Sequence, residues 1–140
     1  MILLDTNVIS ALMQQRPDDA VVRWLDGLPA ESIWTTSITV FEVWTGLELL
    51  EPGRRRRHLE LAFTQLLADD LDGRVQTFDQ PAALAAAGLA ARGRRKGYPV
   101  EVRDVQIAGI AVARKAALAT RNVRHFQDLG AGLINPWSGG

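Results

Sequence analysis

The chain has 140 residues, a length that suits one domain and leaves little room for a second. Hydrophobic residues make up 47% of it, enough for a core, and 16 basic and 16 acidic side chains give a formal net charge of zero. A neutral chain is not expected to coat nucleic acid through bulk charge. The lack of cysteine excludes disulfides, zinc–thiolate sites and cysteine nucleophiles.

The first half of the chain alternates apolar runs with helical patterns. Residues 2–4 form a fully apolar run that stops at Asp5, which is typical of a buried parallel strand followed by a helix cap. Further on, Val40, Val43, Trp44 and Leu47 form one apolar helical stripe that Pro52 and Gly53 interrupt. The elements predicted here are helices over residues 7–13, 18–26, from 37 or 39 to the break at 52, and 54–67, with a strand over 32–35.

The second half continues the alternation. The predicted elements are strands over residues 74–78 and 117–120, an alanine-rich helix over 81–96 and a helix over 102–116. Alternating strands and helices predict an α/β fold with a parallel sheet, which binds ligands at the carboxyl ends of its strands. The longest apolar stretch, residues 82–91, is too short to span a bilayer, and the N-terminus lacks the basic leader of a signal peptide. We therefore expect a cytoplasmic protein without a membrane role.

Three acidic residues lie at the ends of predicted strands or at the starts of helices. Alone, Asp5 would be explained as a helix cap, and Glu42, three residues after Thr39, as half of a capping box. Asp104 differs because apolar residues follow it at i+3, i+4 and i+7, which places it on the apolar face of its helix. A carboxylate on that face must be neutralised, hydrogen-bonded or bound to a cation.

If the three carboxylates converge at one edge of the sheet, they indicate a divalent-cation site. Like charges in close proximity raise one another's pKa, and a divalent cation relieves that repulsion. Oxygen ligands, in a chain with no cysteine and only two histidines, suit Mg²⁺ or Mn²⁺ better than zinc. Such an ion activates a water and stabilises charge on a phosphate.

Four segments of the chain together resemble one known family, the PIN-domain nucleases, and especially toxins of the VapC and FitB types. The segments are LLDTNVIS at residues 3–10, TSITVFEV at 36–43 with Gly46, DVQIAGIA at 104–111, and ATRNVRHF at 119–126 followed by INPW at 134–137. They follow the order and spacing of the family. The chain is therefore expected to be a single PIN-like domain over residues 1–137, with a loose tail at 138–140.

The resemblance implies a three-layer fold, with a central parallel sheet of four or five strands flanked by helices, and an acidic pocket that holds Mg²⁺ or Mn²⁺. Asp5, Glu42 and Asp104 match the acids of the family site. Asp5 and Asp104 would bind the metal, and Glu42 would bind it directly or through water. The supporting residues implied are Thr6, Asn7, Thr120 and Asn122.

The resemblance also implies an activity and partners. It implies endonuclease cleavage of RNA, often tRNA or another structured RNA, by a toxin that forms a homodimer and is neutralised by a cognate antitoxin. Relatives usually carry a fourth acid where this chain has Asn122 or His125. Asn122 can still orient an acid or a metal-bound water. His125 could bind metal or water as a neutral imidazole, but packing beside Phe126 is its favoured interpretation. The departure leaves open whether one metal or two are held.

Two alternative functions stay open. A PIN-like module without activity would retain only antitoxin or RNA binding. A phosphatase-like enzyme would use Asp5 as a covalent nucleophile, but that chemistry wants a second acid where this chain has Asn7.

The dense basic clusters of the chain lie at residues 54–57 and 92–96. If RNA is the substrate, these clusters supply the candidate phosphate contacts, which are Arg54, Arg55, Arg92 and Arg95. The alternative is a solvated helix face, and for the second cluster a favourable position at a helix C-terminus.

Overall fold

The computed structural model describes residues 1–138, which form a five-stranded, fully parallel sheet. Its strands are β1 (Ile2–Leu4), β2 (Ile33–Thr36), β3 (Val75–Gln76), β4 (Ala117–Ala119) and β5 (Gly132–Ile134). Their order across the sheet is β3-β2-β1-β4-β5, so β1 lies at the centre, between β2 and β4.

Seven α-helices connect the strands within residues 1–138. They are α1 (Thr6–Met13), α2 (Asp19–Asp26), α3 (Ser37–Glu48), α4 (Arg54–Gln65), α5 (Gln80–Arg95), α6 (Val102–Arg114) and α7 (Val123–Phe126). A π-helical turn, Leu66–Asp70, extends α4, and 3-10 turns lie at Ala30–Ser32 and Pro136–Ser138. None of the helices in this part of the chain has the length and apolarity needed to cross a bilayer.

The apolar run of β1 is explained by burial on both faces of the sheet. Leu3, with none of its surface exposed, packs with buried residues of α5 and α6. Its neighbour Leu4, 1% exposed, points the other way and packs with buried residues of α1, α3 and α4. Since successive side chains of a strand alternate, one short strand contributes to two cores and defines three layers. The expected α/β fold with a parallel sheet between helical layers is confirmed.

The alanine-rich composition of α5 is explained by its close approach to α6. A Cβ atom at Gly109 of α6 would lie 2.6 Å from the Ala82 carbonyl oxygen and 2.7 Å from the Ala86 Cβ atom. Because there is no room for larger side chains at this crossing, the two helices need small residues there. The packing fixes the start of α6, which carries Asp104, relative to the sheet.

The structure differs from the predicted elements at several boundaries. The predicted strand 74–78 is only Val75–Gln76, because these residues pair with Thr35 and Thr36, where β2 ends. The predicted helix 102–116 ends at Arg114, where Lys115 adopts a left-handed conformation, φ 53°. The short elements β5 and α7 were not predicted, since three or four residues carry little periodicity.

The C-terminal end of the domain is also ordered slightly beyond the prediction. The 3-10 turn Pro136–Ser138 includes the first residue of the predicted tail, and the Ser138 amide donates to the Asn135 carbonyl at 3.1 Å. The other two residues of that tail, 139–140, lie outside the described residues.

Candidate active site

The carboxyl ends of β1, β2 and β4 meet at one edge of the sheet, as parallel pairing requires. Asp5 directly follows β1, and its amide donates to the carbonyl of Ala119, the last residue of β4, at 2.9 Å. Thr120 follows β4, and Thr36 ends β2 where α3 begins. This edge is the expected ligand-binding edge of a parallel sheet.

Asp5 is held by hydrogen bonds to both carboxylate oxygens. Oδ1 accepts from the Thr6 amide at 2.8 Å, which makes Asp5 the N-cap of α1. Oδ2 accepts from the Thr120 hydroxyl at 2.7 Å and from Nδ2 of the Asn7 side chain at 3.3 Å. Burial nevertheless raises the pKa of Asp5 above its ordinary value, because its exposed fraction is only 6%. The structure therefore orients this carboxylate but leaves its charge poorly solvated.

Glu42 lies on α3 and reaches the same edge. Its Oε2 atom forms an ion pair with Nη1 of Arg103 at 3.0 Å. Burial raises the pKa of Glu42, the nearby Arg103 lowers it, and the charges of Asp5 and Asp104 raise it again. The capping-box explanation of Glu42 is wrong, because α3 begins one residue after Thr36, which is the cap.

Asp104 lies in the first turn of α6, and only 20% of its side chain is exposed. Burial raises its pKa, and the charges of Glu101 and Asp5 raise it further, whereas His125 and Arg103 lower it. Its Oδ2 atom lies 3.5 Å from Nδ1 of His125. The favoured interpretation of His125 as a residue packed beside Phe126 is wrong, because α7 directs its ring towards Asp104.

The structure therefore brings the three predicted acids together in one cluster, since the charges of Asp5 and Asp104 raise the pKa of Glu42 and the charge of Asp5 raises the pKa of Asp104. The hydroxyl oxygen of Thr6 is buried and has no hydrogen-bond partner within the described residues. This hydroxyl faces Glu42 closely enough to lower its pKa. Carboxylates and an unpartnered hydroxyl are oxygen donors of the type that hard divalent cations prefer.

The cluster is not a finished metal site. No three acidic or histidine side chains within residues 1–138 are already gathered as a metal-binding group. Glu42 is paired instead with Arg103, whose guanidinium also binds Glu101 at 2.8 Å. A cation that used Glu42 as a direct ligand would have to replace this ion pair.

The supporting residues form one network around Asp5. Asn7 also donates to the Thr120 hydroxyl oxygen at 3.3 Å, and its carbonyl oxygen accepts from the Arg121 amide at 3.0 Å. Asn122 joins the network through its backbone, because its amide donates to the Thr120 hydroxyl oxygen at 3.0 Å. The network ties the loop after β4 to the start of α1 and so fixes the position of Asp5.

Sequence reasoning missed Arg103, which compensates the charge of Glu42. One signal could have found it. A positive side chain in the first turn of a helix is unfavourable with the helix dipole, so Arg103 at that position suggests a nearby acidic partner.

The four candidate RNA-contact residues are not placed alike. Arg92 lines a cleft that also contains Asp104 and His125, whereas Arg95 is exposed elsewhere on α5. Arg54 and Arg55 line a separate groove, together with Gln14, Gln15 and His58. The cleft of Arg92 therefore shares one residue, Asp104, with the acidic cluster.

A parallel sheet between two helical layers, with carboxylates gathered at its carboxyl edge, defines an α/β domain with an acidic cluster at that edge. The PIN domain family matches residues 2–131, and the chain belongs to that family.

Curated relatives are similar over nearly the whole chain. The chain is 38% identical to "Plasmid stability protein StbB" of Pseudomonas syringae pv. tomato, over 98% of this chain and 99% of the relative. It is 38% identical to "VapC ribonuclease Y4jK" of Sinorhizobium fredii, over 98% of both. It is 34% identical to "Toxin FitB" of Neisseria gonorrhoeae, over 98% of this chain and 99% of the relative.

A solved structure has the same fold. "Structure of FitAB bound to IR36 DNA fragment" contains a chain that superposes with a TM-score of 0.87 at 34% identity, over 98% of this chain and 96% of that one. The resemblance to VapC- and FitB-type PIN domains is thus confirmed.

Proposed function

We propose that this chain is an endoribonuclease toxin that depends on Mg²⁺ or Mn²⁺ and is neutralised by a cognate antitoxin. The observation that carries the proposal is the convergence of Asp5, Glu42 and Asp104 at the carboxyl edge of the sheet. The names of similar proteins support it, since Y4jK is described as a VapC ribonuclease and FitB as a toxin. Structured RNA such as tRNA is the proposed substrate.

The residues of the site have distinct roles in this proposal. Asp5 and Asp104 would hold the divalent cation, with Glu42 binding it directly or through a water. When bound, the cation supplies an activated water and stabilises the charge that develops on the phosphate. Thr120 and Asn7 hold Oδ2 of Asp5 in place, and the buried Thr6 hydroxyl lies close enough to Glu42 to lower its pKa.

Cleavage of RNA in Mg²⁺ or Mn²⁺ tests the proposal. Asp5→Asn and Asp104→Asn should abolish most of the cleavage, because each removes a charged ligand. Asp18→Asn is the matched control, since Asp18 is an exposed cap of α2 that asparagine can replace. If Asp5→Asn and Asp104→Asn cleave as fast as the parent, the assignment of the site is wrong.

A second candidate is a binding module without nuclease activity. The observations that favour it are the ion pair between Glu42 and Arg103, and the lack of an acid at Asn122 and His125. Calorimetric titration with Mn²⁺, alongside the cleavage assay, separates the two. Metal affinity with turnover supports the nuclease, whereas tight antitoxin or RNA binding without turnover supports the module.

The biological role is tested in cells. Expression of the parent chain in bacteria should arrest growth, and Asp5→Ala should not. Co-expression of the cognate antitoxin should restore growth. A homodimer is also proposed, and sedimentation of the purified chain would measure its oligomeric state.

A further inference from the structure

A cleft of about 400 Å³ opens beside the acidic cluster. Its walls are the end of α5, the loop over residues 97–101 and helix α7 with the residues that follow it. Asp104 and His125 line the cleft, so one acid of the cluster at the edge of the sheet also belongs to the cleft. A nucleic-acid strand bound at the acidic cluster could continue into this cleft.

Three basic side chains line this cleft, Arg92 and Lys96 from α5 and Arg124 from α7. None of the three forms an ion pair with another residue among 1–138, and all three are exposed. Three acids, Glu101, Asp104 and Asp128, also line the cleft. Glu101 pairs with Arg103 at 2.8 Å, and Oδ2 of Asp104 lies 3.5 Å from Nδ1 of His125. The cleft therefore offers three exposed basic side chains that are free to contact phosphates, although the formal net charge of the chain is zero.

An exposed aromatic ring belongs to the same cleft. The side chain of Tyr98 lines the cleft and is 78% exposed. Its amide donates to the Gly93 carbonyl at 2.9 Å, which holds the loop against α5. A Cβ atom at Gly93 would lie 2.8 Å from the Tyr98 carbonyl oxygen, so this close approach requires glycine. The ring is thus presented to solvent by a fixed backbone.

We propose that this cleft binds an unpaired nucleotide of the RNA that flanks the scissile phosphate, with Arg92, Lys96 and Arg124 contacting phosphates and Tyr98 stacking on the base. Positive side chains position the nucleic-acid backbone, and aromatic rings hold unpaired bases with little sequence preference. The inference rests on the proposed function, because it names the form of the RNA that the site receives. The inference also separates Arg92 from Arg95, which does not line the cleft.

Binding without cleavage tests the inference. Anisotropy of a short fluorescein-labelled single-stranded RNA is measured in EDTA over a range of KCl concentrations. Arg92→Ala and Lys96→Ala should each weaken binding and reduce the slope of log K against log salt by about 0.7. Arg95→Ala should leave the affinity and the salt slope unchanged, because it removes the same charge from the same helix but outside the cleft.

The aromatic contact has its own matched pair. Tyr98→Ala should weaken binding roughly 5- to 150-fold, the loss expected for one stacked base, whereas Tyr98→Phe should bind like the parent. Duplex RNA of the same sequence should compete poorly, since its bases are not free to stack. Circular dichroism of each variant should match the parent, because all of these side chains are exposed.

Three results would overturn the inference. Arg95→Ala could weaken binding as much as Arg92→Ala, Tyr98→Ala could bind like the parent, or the duplex could compete as well as the single strand. Failure of the proposed function looks different. A chain that never cleaves RNA, yet loses binding in the cleft variants, contradicts the nuclease and supports the cleft. A chain that cleaves, with cleft variants that bind normally, contradicts the cleft alone.

Discussion

Replacement of Thr120 by valine should destabilise the protein and do so most at neutral pH. Thr120 is fully buried, and its hydroxyl donates to Oδ2 of Asp5 at 2.7 Å. The same oxygen accepts from the Asn122 amide at 3.0 Å and from the Asn7 side chain at 3.3 Å. Valine has nearly the same shape as threonine, so the substitution removes these bonds with little change in packing.

The expected loss follows from the kind of bond that each partner makes. A hydrogen bond to a charged group contributes about 1.5–3 kcal/mol, and the bond to Asp5 is short and buried. The two bonds that the Thr120 hydroxyl oxygen accepts, from Asn122 and Asn7, are between neutral groups. Because Asn122 is exposed, its amide can bond to water instead, so the two bonds together add about 1 kcal/mol. The free energy of unfolding should therefore fall by about 2–4 kcal/mol at neutral pH.

The pH dependence follows from the direction of the Asp5 shift. Burial already raises the pKa of Asp5 in the folded state, and the Thr120 bond is the largest influence that lowers it. Without that bond the pKa rises further, so an ionised Asp5 is less favourable in the folded state. This penalty exists at pH values at which Asp5 is ionised, and it disappears as the pH falls below the pKa that Asp5 has in the unfolded chain. The deficit of Thr120→Val should thus shrink in acid.

Urea unfolding of the parent, Thr120→Val and Thr120→Ser, at neutral pH and at about pH 4, measures these effects. Serine keeps the hydroxyl and loses a methyl group, so its loss should be about 0.5–1.5 kcal/mol at both pH values. A valine variant that loses no more than the serine variant, or whose deficit is the same at both pH values, would refute the reasoning. In that case the hydroxyl does not stabilise an ionised Asp5.

Three further predictions concern the acids and one helix crossing. Asp104→Asn should raise the free energy of unfolding of the metal-free chain at neutral pH, because burial and neighbouring acids raise the pKa of Asp104. In urea unfolding at successively lower pH, this difference in stability between the variant and the parent should vanish. Arg103→Gln should raise the pKa of Glu42, since Arg103 is the largest influence that lowers it; an NMR titration that finds the same pKa would show that the ion pair does not form in solution. Gly109→Ala should destabilise the chain by about 1–3 kcal/mol through overpacking. Gly46→Ala, with nothing within 4 Å of its added Cβ, should instead stabilise α3 by about 0.5–1 kcal/mol. If the two variants melt at the same midpoint temperature, the close crossing of α5 and α6 is contradicted.

Much of the fold could be predicted because its longer elements carry local signals. The apolar run of β1 predicts burial on both faces, and caps and prolines mark the starts of α1, α2 and α5. The elements that were missed, β5 and α7, are three and four residues long. An element of that length exists because neighbouring strands and helices provide its partners, so its own residues hold little information about it.

The amino-acid sequence by itself determined the longer elements, the family and the three acids, Asp5, Glu42 and Asp104. Only the tertiary structure decided how those acids are compensated. Arg103 reaches Glu42 across 61 positions of the chain, and His125 reaches Asp104 from a helix that was not predicted. These pairs depend on how α3, α6 and α7 pack around the sheet. Local periodicity describes which face of each helix is buried, but it does not specify which charged groups of different helices meet.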